Sequence, residues 1–479
     1  MEINRLNSFT QLPPGAGQVK QKETEQKVSD QVDLGSDRPA VPEGVHKKWL
    51  FMNYIGADCN LKEFQALNID NQELVGSDKN THIVAMIDVG PSGRGDLSEM
   101  SDEDKAKPSA IDWKGGKTFY VTQDSTQAKI NSPVIAEHGL NVDMSNPGTL
   151  AKFIIDTVAK FPSDHVALVL NDHGGGWTGA ISDDTNGGMF TMPQIKQALD
   201  DAEKVTGKKV DILGFDCCLM ADLQAAYEFK DSANILLASQ ETESGPGWTY
   251  SPMLGGGKGE ALQMLQAAMT KKIDVSPEEF AKIVVKVNEQ HQKDIPTFSA
   301  TDLTKVGDLT KATDTLAQAI LKTDEKAEVK KAILQAENYG GGWAPYKDMR
   351  DLDHMAGLIE KAVKDPELKE AALGVKKALS EAIIANEASP EYPNSKGLHI
   401  YGEMKADGLG ADYKELKFAE DTQWDEAMDS LGKIKVPGGE GGNAGGGGQE
   451  WEAMTMTNLM ANPPIPVWPD GSPKPQRKQ

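Results

Sequence analysis

Two apolar runs that end in reactive side chains constrain this chain more than any other feature. Val166-Ala167-Leu168-Val169-Leu170 leads into Asn171-Asp172-His173-Gly174-Gly175-Gly176-Trp177, and Val210-Asp211-Ile212-Leu213-Gly214 leads into Phe215-Asp216-Cys217-Cys218-Leu219-Met220. Read as neighbouring parallel strands about 4.8 Å apart, they bring an imidazole and a thiol together at the carboxyl edge of one sheet. Helices precede both runs. Leu150, Phe153, Ile154, Val158 and Phe161 recur at helical spacing before the first, and Ile195, Leu199 and Ala202 before the second. Further strands are predicted at residues 49–55, 82–89, 118–122 and 235–238, with helices at 60–67 and 221–229. Such alternation predicts an α/β fold with a mostly parallel sheet flanked by helices. Right-handed crossovers put the strand ends on one edge, where functional groups gather in sheets of this kind.

From Gly259 onward, helices rich in Ala, Lys and Glu dominate, at 261–271, 276–290, 309–322, 327–337, 351–364 and 368–388. Two strand-like pieces, 297–300 and 397–401, interrupt them. Four segments follow from this: a disordered head at 1–47, an α/β catalytic core at 48–258, a C-terminal helical subdomain at 259–436 that returns strands to the core, and a Gly-rich linker with a Pro- and Trp-containing tail at 437–479.

A formal net charge of -23, from 73 acidic and 50 basic side chains, argues against nucleic acid as a partner, because such a surface needs clustered Lys and Arg. Acidity suits solubility and attraction of cationic substrates. No stretch approaches the roughly 18 consecutive apolar residues of a membrane span, so no membrane partner is expected. Residues 1–22 lack the basic start, apolar run and small-residue cleavage site of a secretory signal. Cytoplasmic residence is the default expectation, with export by a route that needs no such signal as the alternative. Cysteines stand only at 59, 217 and 218, so no disulfide framework holds the fold and their role is chemical.

The three glycines after His173 let the backbone turn sharply and present amides without obstruction. A thiolate attacking a carbonyl needs such donors, each worth roughly 3 to 4 kcal/mol. His173 would keep a neighbouring thiol near its thiolate form and later protonate the leaving amine. Taken singly, a lone histidine is a satisfied core residue and a glycine run is a plain turn; their joint position at strand ends favours chemistry. Strand alternation puts Asp216 and Cys218 on one face and Cys217 on the other, which selects Cys218 as nucleophile. A carboxylate at 216, at the base of a pocket, favours Arg or Lys before the cleaved bond; a strand-end cap or turn residue accounts for it equally well. A phosphate cradle ranks last, because no P-loop Lys and Ser/Thr follow the glycines.

At these residues the chain resembles the clostripain-like cysteine peptidases, relatives of caspases, legumains, gingipains and separases. The resemblance runs from Lys48 to about Met428 and includes Trp49-Leu50-Phe51-Met52-Asn53-Tyr54-Ile55-Gly56-Ala57-Asp58-Cys59-Asn60-Leu61, the two stretches above, Ala238-Ser239-Gln240-Glu241 and Gly247-Trp248-Thr249-Tyr250. Later matches are Phe298-Ser299-Ala300-Thr301-Asp302-Leu303, Tyr346-Lys347-Asp348 and Gly397-Leu398-His399-Ile400-Tyr401. It implies a caspase-haemoglobinase-like fold and a cysteine endopeptidase that cuts protein or peptide substrates after Arg or Lys. It also implies His173 as base, Cys218 as nucleophile, Asp216 as the selector of a basic residue, and an oxyanion hole from the backbone of Gly174 and Cys218. Proteins of this kind commonly cleave themselves into heavy and light chains.

Several features depart from that pattern. Cys217 stands where a small residue is usual, and inert burial on the far side of the sheet is expected of it. Residues 177–194 hold no Lys or Arg, which argues against self-cleavage there and for a single-chain active form or processing elsewhere. The missing secretion signal is unusual for the group. Some members depend on calcium, and Asp183-Asp184-Thr185-Asn186-Gly187-Gly188 offers oxygen ligands without the spacing or terminal Glu of an EF-hand loop; no cofactor is otherwise expected. Zinc on Cys217, Cys218 and His173 fails on ligand spacing. A catalytically silent relative that binds peptides through the same pocket is the alternative function, opposed by the intact His173 and Cys218. The basic tail Lys474-Pro475-Gln476-Arg477-Lys478-Gln479 motivates a latent form in which tail or head covers an acidic pocket.

Overall fold

The structure is a computed structural model that describes residues 41–436 apart from 91–104, 106–108, 127, 246, 249–261, 263–264, 267–268, 270, 272–273, 290–291, 293, 341–347 and 406–408. The head up to residue 40, most of the helix expected at 261–271, Thr249, Tyr250, Tyr346, Lys347, the Gly-rich linker and the tail lie outside the described residues.

Fourteen strands are described: β1 (Lys47–Ala57), β2 (Thr81–Val89), β3 (Gly115–Tyr120), β4 (Val134–Gly139), β5 (Ser163–Asn171), β6 (Ala180–Asp183), β7 (Gly188–Phe190), β8 (Val210–Asp216), β9 (Ala233–Ala238), β10 (Thr297–Asp302), β11 (Asn338–Tyr339), β12 (Met349–Asp351), β13 (Ile383–Ala388) and β14 (His399–Tyr401). Nine of them form one sheet in the order β13-β10-β9-β8-β5-β1-β2-β3-β4. From β9 to β2 the pairing is parallel, and β10, β13, β3 and β4 extend it antiparallel at its two sides. The fold is thus α/β with a mostly parallel central sheet, as the alternation of elements predicts.

Both faces of the sheet are covered, which is why its central strands read as continuous apolar runs. In β1, Leu50, Met52 and Tyr54 enter the core on one face while Trp49, Phe51 and Ile55 enter the core on the other. The helices that deliver β5 and β8 are Pro147–Lys160 and Met192–Thr206. The first starts on Asn146, whose side chain accepts from Gly148 N, and the second on a Thr191/Gln194 capping box. Gly207, at φ 68°, closes the second and turns the chain into β8. Ile195, Ala198, Leu199 and Ala202 bury its apolar face. Residues 41–46 also lie against this body, with Gly44 N–H donating to Lys160 O at 2.8 Å and the His82 ring meeting Val45 O at 2.8 Å.

The second half adds elements the sequence reading does not contain, the short strands β11 and β12 and helices at Ala411–Lys414, Lys417–Asp421 and Trp424–Gly432, and it changes one that it does. The helix expected to run to residue 388 ends at Ala382, and Ile383–Ala388 crosses over as β13. Helical spacing alone continues through this stretch, but the β-branched pair Ile383-Ile384 meets the open edge of β10, and ladder bonds there outweigh the weak local preference. Of the two strand-like pieces, 297–300 joins the main sheet as β10, whereas 397–401 gives β14 in a separate small sheet with β11 and β12. The helix Leu303–Lys322 packs on Pro366–Ala382, and both contribute to the core that holds Leu213 and Phe215 of β8. Among the described residues no helix is long and apolar enough to cross a membrane.

Candidate active site

β5 and β8 are adjacent, and their last residues, Asn171 and Asp216, are register partners. His173 and Cys218 each stand two residues beyond that pair, so the sheet delivers both to one edge. Asp172 N–H still reaches Asp216 O, at 3.3 Å. Immediately beyond, the chains touch: a Cβ on Gly174 would lie 2.6 Å from Cys218 O and 2.8 Å from Cys217 Cβ. Glycine at 174 is therefore required for the histidine loop to lie against the cysteine turn. Gly176, at φ 61°, sits over Leu219 O and the Asp222 carboxylate in the same way.

The two adjacent thiols have different surroundings. Cys217 is buried, its Sγ on Leu170 O at 3.4 Å, and burial pushes its thiol well above the ordinary range. Cys218 is half-buried; its Sγ accepts the Glu243 N–H at 3.3 Å and, as a thiol, donates to Glu243 O at 3.6 Å. Leu219, the next residue, is held at φ 65°, outside the range a branched side chain prefers. Its carbonyl accepts from His399 Nε2 at 2.9 Å and its N–H donates to Glu241 O at 3.2 Å.

The His173 ring is fixed from β1. Asn60, three residues past that strand, places Oδ1 2.6 Å from His173 Nε2. With the Nε2–H donating to this oxygen, the other nitrogen keeps its lone pair for a proton. Next to the ring, Asp172 is buried and accepts from Cys59 Sγ at 3.0 Å, from Ser182 N at 2.6 Å and from Ser182 Oγ at 2.9 Å. Burial raises the Asp172 carboxyl, while His173 and the Cys59 bond draw it back down.

Asp216 lies on the opposite face of β8 from Phe215. Its carboxylate accepts from Asn171 Nδ2 at 2.6 Å and from Trp248 N at 3.0 Å. Gly247, at φ 62°, passes over it so closely that a Cβ there would lie 2.4 Å from Oδ1. Glu243 stands beside it, buried, and burial followed by the Asp216 charge pushes its carboxyl well above the usual range. A negative charge on Asp216 thus disfavours a second one on Glu243.

The Asp183–Gly188 loop closes on itself, with Asn186 N at 2.8 Å from Asp183 Oδ1 and Gly187 N on Asp183 O. Asp183 also meets Asp58 and Asp88, and one oxygen of each lies within 4.8 Å of the others, all three buried. Asp88 Oδ1 has no hydrogen-bond partner among the described residues. An all-oxygen set of this kind suits a hard cation.

Sequence reasoning names His173, Gly174, Asp216 and Cys218, and the fold brings these four to one strand edge. It misses Asn60, Glu243 and His399. Asn60, three residues past β1, and Glu243 and His399 all reach the site through segments whose course no local pattern reveals.

The chain has counterparts among known proteins. Residues 53–431 match the model of the clostripain family. Clostripain of Hathewaya histolytica is 23% identical over 394 residues, covering 72% of this chain and 72% of that protein. Two solved structures share the fold: an inactive zymogen C11 protease from Parabacteroides distasonis (TM-score 0.53, 16% identity, 80% of this chain and 99% of that one) and a secreted C11 cysteine protease from Bacteroides thetaiotaomicron bound to an irreversible peptide inhibitor (TM-score 0.54, 16% identity, the same coverage).

Proposed function

The chain belongs to the clostripain family of cysteine peptidases, and from that premise we propose that it is an endopeptidase cutting after Arg or Lys, with Cys218 as nucleophile and His173 as its base. One observation carries this: the β5–β8 register and the bare Gly174 backbone set the histidine loop directly against the Cys217–Cys218 turn. His173 takes the thiol proton through the nitrogen not engaged by Asn60, and the Cys218 sulfur attacks the substrate carbonyl carbon. Gly174 N–H, which donates to no group among the described residues, and Cys218 N–H receive the developing oxyanion. His173 then protonates the leaving amine, and water releases the acyl group.

Selection of a basic residue follows from Asp216 and Glu243. A guanidinium or ammonium reaching these carboxyls gains a charge-assisted bond in a buried setting, which an apolar or acidic side chain cannot make. Trp248 N and Gly247 cover Asp216, so a substrate side chain takes the place of the Trp248 bond when it binds. Fluorogenic peptides ending in Arg, Lys, Leu or Asp test this. Arg and Lys substrates are hydrolysed by the native chain, Cys218→Ala is inert, and Asp216→Asn lowers kcat/KM for Arg by about 10–100-fold, the loss of one charge-assisted bond. Equal rates on Leu and Arg substrates refute the specificity; a Cys218→Ala form that still cuts refutes the nucleophile. Mass spectrometry of both forms reports self-processing.

Calcium would be held here by Asp58, Asp88 and Asp183, the last of them the first residue of the 183–188 loop. An ion there would supply countercharge and steady the end of β1, beyond which Asn60 reaches His173.

A further inference from the structure

We propose that Cys59, Asp172 and His173 form a binding site for Zn²⁺, or a divalent ion of similar softness, and that its occupation reversibly switches the peptidase off. One ligand atom from each residue lies within 4.8 Å of the other two. In a tetrahedral zinc site, sulfur at about 2.3 Å and nitrogen or oxygen at about 2.0–2.2 Å from the metal stand roughly 3.3–3.7 Å apart. Cys59 Sγ and Asp172 Oδ1 are 3.0 Å apart now, so small side-chain shifts close the triangle around a metal. A thiol, an imidazole and a carboxylate make a borderline-to-soft donor set, unlike the all-oxygen trio at Asp58, Asp88 and Asp183.

Outer contacts hold the donors in place, as metal ligands require. Ser182 N and Oγ occupy Asp172 Oδ2, which leaves Oδ1 directed at the sulfur. Leu61 N–H donates to Cys59 Sγ at 3.4 Å and supports negative charge on it. Asn60 fixes the His173 ring. Cys59 and Asp172 are buried while His173 is half-buried, so the ion enters from the histidine side and keeps its fourth position for water there.

The binding step balances simply: the Cys59 S–H bond breaks, a sulfur–metal bond forms, and one proton leaves to solvent. Burial and the neighbouring Asp172 hold this thiol well above its ordinary range; a dication alongside reverses both influences. Inhibition rests on the reading of His173 as base. A metal on one imidazole nitrogen leaves the other carrying the ring proton, so no lone pair remains for the Cys218 thiol.

Cobalt(II) is the probe, added to the full chain carrying Cys218→Ala so that the nucleophile cannot contribute sulfur. A near-ultraviolet thiolate-to-cobalt band is expected, absent when Cys59→Ser is added and weakened at least tenfold in affinity when His173→Ala is added instead, a change that leaves the buried sulfur untouched. In the Cys218 form, Zn²⁺ inhibits hydrolysis, a chelator restores it, and Cys59→Ser raises the inhibitory concentration at least tenfold relative to its own metal-free rate. No band in Cys218→Ala, or a band that survives loss of Cys59, overturns the site while leaving the peptidase assignment intact. A band without inhibition overturns the switch and with it the role of His173 as base.

Discussion

At the scale of single residues, the turn after the nucleophile is held by groups far away in sequence. Leu219 at φ 65° costs about 1–3 kcal/mol in a non-glycine residue, and the bond from His399 Nε2 to its carbonyl is one of the contacts that maintain it. Behind it, His399 Nδ1 and Asp222 Oδ2 face each other at 3.4 Å, fully buried, and neither bonds elsewhere among the described residues. Burial pushes Asp222 up to about 7 and His399 down to about 4, so one proton held between the two atoms satisfies both. His399→Ala is expected to lower kcat about tenfold with KM little changed, because it loosens the Cys218 backbone without touching the pocket; steady-state kinetics separate the two parameters. Asn60→Ala acts on the other partner. Losing one bond to the ring costs about 1 kcal/mol, and an approximately five-fold fall in kcat/KM on an Arg peptide is the expected result.

At the scale of elements, two strand ends and one glycine define the site. Gly174→Ala forces its Cβ to within 2.6 Å of Cys218 O, so the histidine loop must lift away from the cysteine turn. Activity is expected to fall by at least about 100-fold, since misplacement of about 1 Å has that effect, while circular dichroism stays native because the loop lies outside the sheet core. The strand ends were legible in the sequence because a strand buried on both faces announces itself as an apolar run, and polar residues directly after it have few alternatives to a functional edge. The difference in burial between Cys217 and Cys218 was legible too, through the two-residue period that sends Cys217 into the core beside Phe215 and Leu213. Asn60 and His399 were not. Each reaches the site by a hydrogen bond spanning 113 or 180 positions, and nothing in local composition encodes such a pairing. β13 was misread for a related reason: its partner edge is supplied by β10, some 85 residues upstream, and only that edge makes Ile383-Ile384 extended.

At the scale of the whole molecule, the sheet gathers negative charge at its carboxyl edge. β1, β2 and the β6 end contribute Asp58, Asp88 and Asp183, and burial together with the other two carboxylates pushes Asp88 up to about 7 from 3.8. The sign of the linkage follows. Between about pH 4 and 7 the folded chain holds on Asp88 a proton that the unfolded chain has already lost, so this group's contribution to stability falls as pH rises through that window. Above pH 7 the folded state carries the full cost of three clustered charges. Asp88→Asn removes that cost, so its melting temperature is expected to exceed that of the native chain at pH 8, by roughly 1 °C for each kcal/mol recovered in a body of this size, and the gap narrows toward pH 4. A bound cation relieves the same repulsion by supplying countercharge. Calcium at millimolar concentration is therefore expected to raise the melting temperature of the native chain at pH 8 and to leave Asp88→Asn unmoved. Equal shifts in both proteins place any calcium elsewhere, whereas a pH-independent gap between them removes Asp88 as the titrating group.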